Sequence, residues 1–272
     1  LNPIPFSVIL PVYGKDHPDF FRLALNSLAQ QTILADEVVV VADGPLTPAL
    51  EDVLTSTPLP GLKVVRLPEN RGLSAALNAG IASAQHEWLA RMDADDICLP
   101  HRLETQWNYL NEHPDISILG AWIREFTDDP NQPQGERRGP ETHAEILRFA
   151  RWRCPFNHMT VVYRKSALLQ LGCYKDYGAV GDDYELWARF LMGGYRAGIV
   201  PEVLVLARTG QAFFTHRRRG WRYLRNEWRE IDDLQAVGLI NRPTAWVHKM
   251  AKSVVRLGPA GWVKRIYALL RT

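Results

Sequence analysis

Short apolar runs alternate with helical periodicity along the first 92 residues. Residues 6–12 form an apolar run that closes on turn residues, as a buried strand does. Phe20, Ala24 and Leu28 then recur at i, i+4 with Phe21 and Leu25 beside them, which predicts a helix. Residues 37–42 predict a second buried strand, stopped by Asp43-Gly44-Pro45. A weaker helix near 47–56 leads to a third strand at 63–67. Asn70 is placed to cap a helix with the apolar face Leu73, Ala76, Leu77, Gly80, Ile81 and Ala84. A fourth strand, 88–92, runs into Asp93-Ala94-Asp95-Asp96. This alternation predicts an α/β fold with a doubly wound parallel sheet, whose ligands bind beyond the carboxyl ends of the strands. Tyr13, Asp43, Arg71, Asp93 and Asp95 follow those ends and are expected to share one crevice.

The second half is more mixed. Helices are expected at 102–112, with Leu103, Trp107 and Leu110 on one face, and at 183–191, with Leu186, Trp187 and Phe190. Strands are expected at 116–123, 159–163 and 199–206. Residues 128–140 read as a polar Pro/Gly loop. From Gly220 the pattern is helical, with breaks at Pro243 and at Gly258-Pro259-Ala260-Gly261.

The chain has 272 residues, 46% hydrophobic and 23% charged, enough for a sizeable core and too apolar for disorder. No apolar stretch reaches the roughly 18–20 residues of a spanning helix. The opening Leu-Asn-Pro-Ile-Pro-Phe has no signal-peptide pattern, so the expected location is cytoplasmic. Cys98, Cys154 and Cys173 include no C-x-x-C and are expected to be reduced thiols. The net charge of +2 conceals a split. Residues 1–207 carry 18 Lys and Arg against 26 Asp and Glu, a net −8. Residues 208–272 carry 14 against 4, a net +10, with no acid after Asp233. Such a segment is expected to meet something anionic.

Asp93-Ala94-Asp95 is a carboxylate pair on a tight turn, and hard divalent cations such as Mg²⁺ and Mn²⁺ prefer oxygen ligands. Alternatively, these acids form a solvated turn that caps the next helix. No G-x-G-x-x-G follows the first strand, where Tyr13-Gly14-Lys15-Asp16 stands instead, and no G-x-x-x-x-G-K-[ST] or G-x-S-x-G occurs. Dehydrogenase, P-loop and serine-hydrolase chemistry are therefore unsupported.

Several ordered segments resemble the family 2 glycosyltransferases of GT-A fold that assemble bacterial surface polysaccharides. They are Phe6-Ser-Val-Ile-Leu-Pro-Val-Tyr13, Asp43-Gly44, the run from Glu69 to Gly80, and Arg91-Met92-Asp93-Ala94-Asp95-Asp96. Asn157-His158-Met159-Thr160 and Gly181-Asp182-Asp183-Tyr184-Glu185-Leu186-Trp187 follow, so the resemblance covers roughly residues 5–208. It implies a Rossmann-like, mostly parallel sheet flanked by helices, with a basic helical C-terminal extension. Residues 1–100 would form the nucleotide-sugar half, 101–215 the acceptor and catalytic half, and 216–272 the tail.

The resemblance also assigns roles. Pro11, Val12 and Tyr13 would line the base pocket, with Asp43 on the uracil edge and Asn70 and Arg71 beside it. Asp93 and Ala94 would lie near the ribose and metal, with Asp95 as ligand to Mn²⁺ or Mg²⁺. Asp183 would be the general base of an inverting transfer. The family usually has Glu-Asp where this chain has Asp182-Asp183, so Asp182 is the alternative base. Arg208, His216 and Arg217-Arg218-Arg219 would form a basic loop over the diphosphate, with His216 as a further metal ligand; a solvated stretch on anionic lipid is the alternative. Trp187 belongs either to the core or to the acceptor wall.

The implied reaction moves a hexose, galactose by preference, from a UDP-sugar to a glycan acceptor linked to undecaprenyl diphosphate. In the tail, Val247, Met250, Ala251, Val254 and Val255, then Val263, Ile266, Tyr267 and Leu270, alternate with Lys249, Lys252, Arg256, Lys264 and Arg265. This is the pattern of basic helices on an anionic membrane surface, here the inner face of the plasma membrane. The alternative is packing on the catalytic domain or a second subunit. Two rival functions are a sugar-nucleotide pyrophosphorylase, which lacks its Gly-rich loop here, and a lipid- or nucleic-acid-binding module. The latter leaves Asp43, Arg71, Asp93, Asp95 and Asp183 unexplained, so no nucleic-acid partner is expected.

Overall fold

A computed structural model of the chain describes residues 4–177, 182–209 and 220–257. In its first half, β1 (Ile4–Tyr13), α1 (Pro18–Ala29), β2 (Ala35–Asp43) and α2 (Pro48–Ser56) are followed by β3 (Leu62–Arg66), α3 (Leu73–Ser83) and β4 (Trp88–Arg91). The strands pair in parallel in the spatial order β3-β2-β1-β4. β1 and β2 are apolar on both faces because helices cover both. Val8, Leu10 and Val40 pack with Phe21 and Leu25 of α1, while Ile9, Val39 and Val41 pack with Leu77 and Ile81 of α3. A Cβ at Gly80 would lie 2.6 Å from Ile9 Cγ2, so only glycine lets α3 approach this closely.

The second half comprises β5 (Ile97–Cys98), α4 (Arg102–Glu112), β6 (Ile116–Phe126), β7 (Gly135–Arg137) and α5 (His143–Ala150). A 3-10 turn at His158–Thr160 precedes β8 (Val162–Arg164), α6 (Lys165–Gln170), α7 (Asp182–Met192) and β9 (Arg196–Arg208). α8 (Trp221–Ala236) and α9 (Arg242–Leu257) follow. One sheet runs through both halves, in the order β3-β2-β1-β4-β8-β6-β9-β5, with β7 on β6. β8 is antiparallel to β4 and β6, and β6 is parallel to β9.

Local expectations needed four corrections. The loop at 128–140 contains β7, which pairs with β6. The run expected to be a strand from 159 begins as the 3-10 turn, because the Thr160 hydroxyl binds the Asn157 carbonyl at 2.8 Å and closes it. Asn70 does not cap α3: Gly72 holds that position at φ 89°, where a side chain would be strained. The break expected at Pro243 is present but lies just before it, between Ala236 and Arg242, and Pro243 itself sits in the first turn of α9, where its missing N–H is harmless. Trp187 is settled as core, fully buried against Phe156, His158 and Phe190.

α8 and α9 form an antiparallel hairpin fastened by charge. Lys249 pairs with Asp232, and Lys252 and Arg256 both pair with the buried Glu227. Lys175 and Tyr177 reach Asp233 of α8, while Lys175 also pairs with Glu185 of α7. Among the described residues, no helix is long and apolar enough to cross a membrane.

Candidate active site

The acidic turn after β4 is organised by two buried arginines. Arg91 ends the strand with a side chain only 2% exposed and ion-pairs with Asp93. Arg102, fully buried in α4, donates from Nη2 to the Arg91 carbonyl at 2.7 Å and from Nε to Gln106 at 3.1 Å. Carboxylate oxygens of Asp93, Asp95 and Asp96 lie within 4.8 Å of one another. Asp96 Oδ1 accepts the Arg208 N–H at 2.7 Å, whereas its Oδ2 is buried and has no hydrogen-bond partner. Asp95 is exposed as a residue, but the packing around its carboxylate, and then the Asp93 charge, raise it to about 6; burial and the same neighbour push Asp96 well above its ordinary value.

Crowded oxygens with raised proton affinity and one buried oxygen left unpartnered fit a hard divalent cation. Arg208 is not part of a free basic loop. Its Nε donates to the Asp95 carbonyl at 3.2 Å, and its guanidinium lies 3.7 Å from the Phe20 ring centre and 4.5 Å from that of Phe126.

β1 is the neighbour of β4 in the sheet, and its end and that of β2 lie side by side. Pro11 and Val12 are buried, and Tyr13 sits beside Asp43 in register. Asp16 fixes Tyr13 by accepting its N–H at 2.9 Å. The buried Asp43 carboxylate accepts the N–H groups of Arg71 at 2.7 Å and Gly72 at 2.9 Å, so Asp43 meets orphan donors at the start of α3. A carboxylate has about four acceptor sites, which leaves two for a ligand. Asn70 donates to the Asp43 carbonyl at 3.3 Å. The exposed Asn70 and Arg71 line a cleft of about 680 Å³ with Ser74, Asn78 and Tyr174. Asn78 clasps the Tyr174 backbone through two reciprocal hydrogen bonds of 2.9 and 3.0 Å.

Asp183 lies in the first turn of α7, where Cys154 Sγ donates to its Oδ2 at 3.5 Å. Burial raises its pKa, opposed by that thiol, by backbone amides and by the Arg91 charge. His158 hydrogen-bonds Tyr174 at 2.8 Å; burial, then Arg91, holds it well below the usual histidine range and therefore neutral. Asp182 opens α7, but its side chain lies outside the described residues, as do Gly181, His216, Arg217, Arg218 and Arg219.

Arg91 and Arg102 were not among the residues read as functional. The signal was present: a cation closing a buried four-residue strand must have a partner. The Arg91 side chain pairs with Asp93, and its backbone N–H donates to the Val161 carbonyl at 2.8 Å, next to the 3-10 turn whose His158 packs on Trp187 of α7.

The profile of the Glycosyl transferase family 2 matches residues 7–178. The amylovoran biosynthesis glycosyltransferase AmsE of Erwinia amylovora is 41% identical over 224 residues, 82% of this chain and 82% of that protein. A UDP-Gal:alpha-D-GlcNAc-diphosphoundecaprenol beta-1,3-galactosyltransferase of Escherichia coli is 31% identical over 264 residues, 96% of this chain and 94% of that one. The crystal structure of S. aureus TarS 1-349 in complex with UDP-GlcNAc superposes with a TM-score of 0.69 at 20% identity. That match covers 92% of this chain and 73% of TarS 1-349 and shows the shared fold. The chain is therefore a glycosyltransferase and belongs to family 2, on a GT-A fold.

Proposed function

We propose that this glycosyltransferase moves a hexose, with galactose the first donor to test, from a UDP-sugar to a hydroxyl of a lipid-diphosphate-linked glycan, with inversion. The product would serve a bacterial O-antigen, capsule or exopolysaccharide, and the enzyme would work at the inner face of the plasma membrane. The observation that carries this reading is a chain of contacts: Arg91 pairs with Asp93, its backbone N–H donates to the Val161 carbonyl just after the 3-10 turn, and His158 of that turn packs on Trp187 of α7, the helix that bears Asp183. Donor charge and acceptor base then belong to one site. The Escherichia coli relative, by its name, uses UDP-Gal and an undecaprenol diphosphate acceptor, which supports the substrate class.

On this reading Pro11, Val12 and Tyr13 form the base wall, and Asp43 uses its remaining lone pairs on the uracil edge. Asn70, Arg71 and Ala94 border the nucleotide. Asp95 would hold Mn²⁺ or Mg²⁺ with Asp93 and Asp96 beside it, and the bound ion would offset charge growing on the leaving diphosphate. Asp183 accepts the proton of the attacking hydroxyl, and its raised pKa makes it a stronger base than an exposed aspartate. Asp182 is the alternative carboxylate, and His216 is a further candidate ligand.

The test is transfer from UDP-galactose to a synthetic GlcNAc-diphospho-lipid, with Mn²⁺ and with chelator. Metal-dependent product with inverted anomeric configuration is expected. Retained configuration, or turnover unaffected by exhaustive chelation, rejects the mechanism.

A further inference from the structure

Helix α9 is built with its polarity reversed. The face turned to α8 carries Lys249, Lys252 and Arg256, each paired with an acid there. The face turned outward carries Trp246, Val247, Met250, Ala251, Val254 and Leu257, all exposed, with Trp246 at 65%. Ordinary surface helices do the opposite. On the flank of the helix, Trp152, 61% exposed, stacks its ring on the partly buried His248 at 5.6 Å between centroids.

We infer that this outward face is a docking surface that seats in the headgroup–acyl boundary of an anionic bilayer. The inference rests on the membrane-face reading above and changes its contact. The cations of α9 that the sequence pattern assigned to lipid are spent on α8, and the apolar side is left for the membrane. Two observations select lipid over a second copy. The outward apolar face is one side of a single 16-residue helix, about 24 Å long, a small patch for the roughly 20–30 residues a side that a standard interface takes at about 800 Å² per partner. The segment 208–272 carries net +10 and α9 itself has no acid, which complements an anionic leaflet at long range. Exposed tryptophans suit the amphipathic boundary. Trp152 stands two residues before Cys154, the thiol that donates to Asp183, so its stacking on His248 ties the flank of α9 to the segment that meets α7.

The full chain should sediment with phosphatidylglycerol-containing vesicles and keep a bound fraction in high salt, because apolar insertion resists screening. The variant Trp246→Ser/Met250→Ser/Leu257→Ser should lose at least tenfold of that salt-resistant partitioning, with UDP affinity and the unfolding midpoint unchanged. Brominated acyl chains should quench the wild-type tryptophan fluorescence, and Trp246→Phe should lose part of that quenching, a readout that survives if the triple variant misfolds. Failure of the wild type to bind such vesicles overturns the inference, as does undiminished binding by the triple variant. So does a wild-type dimer that the triple variant makes monomeric, or a lower unfolding midpoint showing that the chain's own residues cover the face. Vesicle binding without glycosyl transfer would reject the proposed reaction and leave this surface standing; transfer to a soluble acceptor without vesicle binding would do the reverse.

Discussion

At the carboxyl end of β4, Asp93, Asp95 and Asp96 crowd three like charges around Arg91, whereas in the α8–α9 hairpin Glu227 meets Arg256 and Lys252, and Asp232 meets Lys249. The proton affinities record the contrast. Asp95 rises to about 6, while Glu227, despite its burial, is drawn below its ordinary value by Arg256 and Lys252. Matched charge fastens two helices. Mismatched charge is held in place by the fold, as groups poised for chemistry are.

Four experiments press on that contrast. The largest effect is expected at Asp183. Asp183→Asn cannot take a proton and should cut turnover by about 10²–10⁴ while UDP binding persists; a stronger loss from Asp182→Asn would move the base by one residue. The same substitution should raise the unfolding midpoint near neutral pH. Because the native pKa of Asp183 lies above its unfolded value, stability falls as pH rises through that window, and an amide removes the loss.

Next comes Arg91→Met, which strands Asp93 without its buried partner. About 3–5 kcal/mol of stability should be lost, measurable by denaturant unfolding, together with Mn²⁺-dependent UDP binding. Wild-type stability in this variant would mean that the ion pair is incidental.

The acidic turn itself should respond to pH. Mn²⁺-dependent UDP affinity, followed by calorimetry, is expected to fall below about pH 6 as Asp95 takes up its proton; Asp95→Ala should remove the metal dependence at every pH. Smallest is Glu227→Gln, which should cost about 1–3 kcal/mol by leaving two cations short of an acceptor. Its effect should be confined to stability above the unfolded pKa of Glu227 and vanish as pH falls, since the native value is the lower one. UDP affinity should not change.

The parallel half was legible because its strands are buried on both faces and its helices are amphipathic, so periodicity and fold agree from β1 to β4. The positions of the strand-end acids were legible for the same reason: Asp43 closes β2, and Asp93, Asp95 and Asp96 follow β4. Arg91 and Arg102 were not, since their partners are set by tertiary packing: Arg102 reaches eleven residues back to the Arg91 carbonyl. The cap of α3 was misread because its acceptor, Asp43, comes from another strand, 28 residues before Arg71. In the tail, Lys249, Lys252 and Arg256 turn to acids of α8, which a helical wheel does not foretell because it separates the charged face from the apolar one without saying which is buried. Val263, Lys264, Arg265, Ile266, Tyr267 and Leu270 lie outside the described residues.

The junction of Lys175 and Tyr177 with Asp233 and Glu185 ties α7 to α8, while the strand ends make no use of it. Under divergence these two regions are free to change at different tempos. On the proposed roles, exchanges at the ends of β1 and β2 would retune nucleotide binding while leaving α7 in place. If α7 serves the acceptor as proposed, a lineage that adopts a new acceptor would carry α7, α8 and the 175–177 link along as one inherited block. Chimeras that swap segments should respect that seam, and crossovers placed between residues 177 and 233 should be the ones that fail.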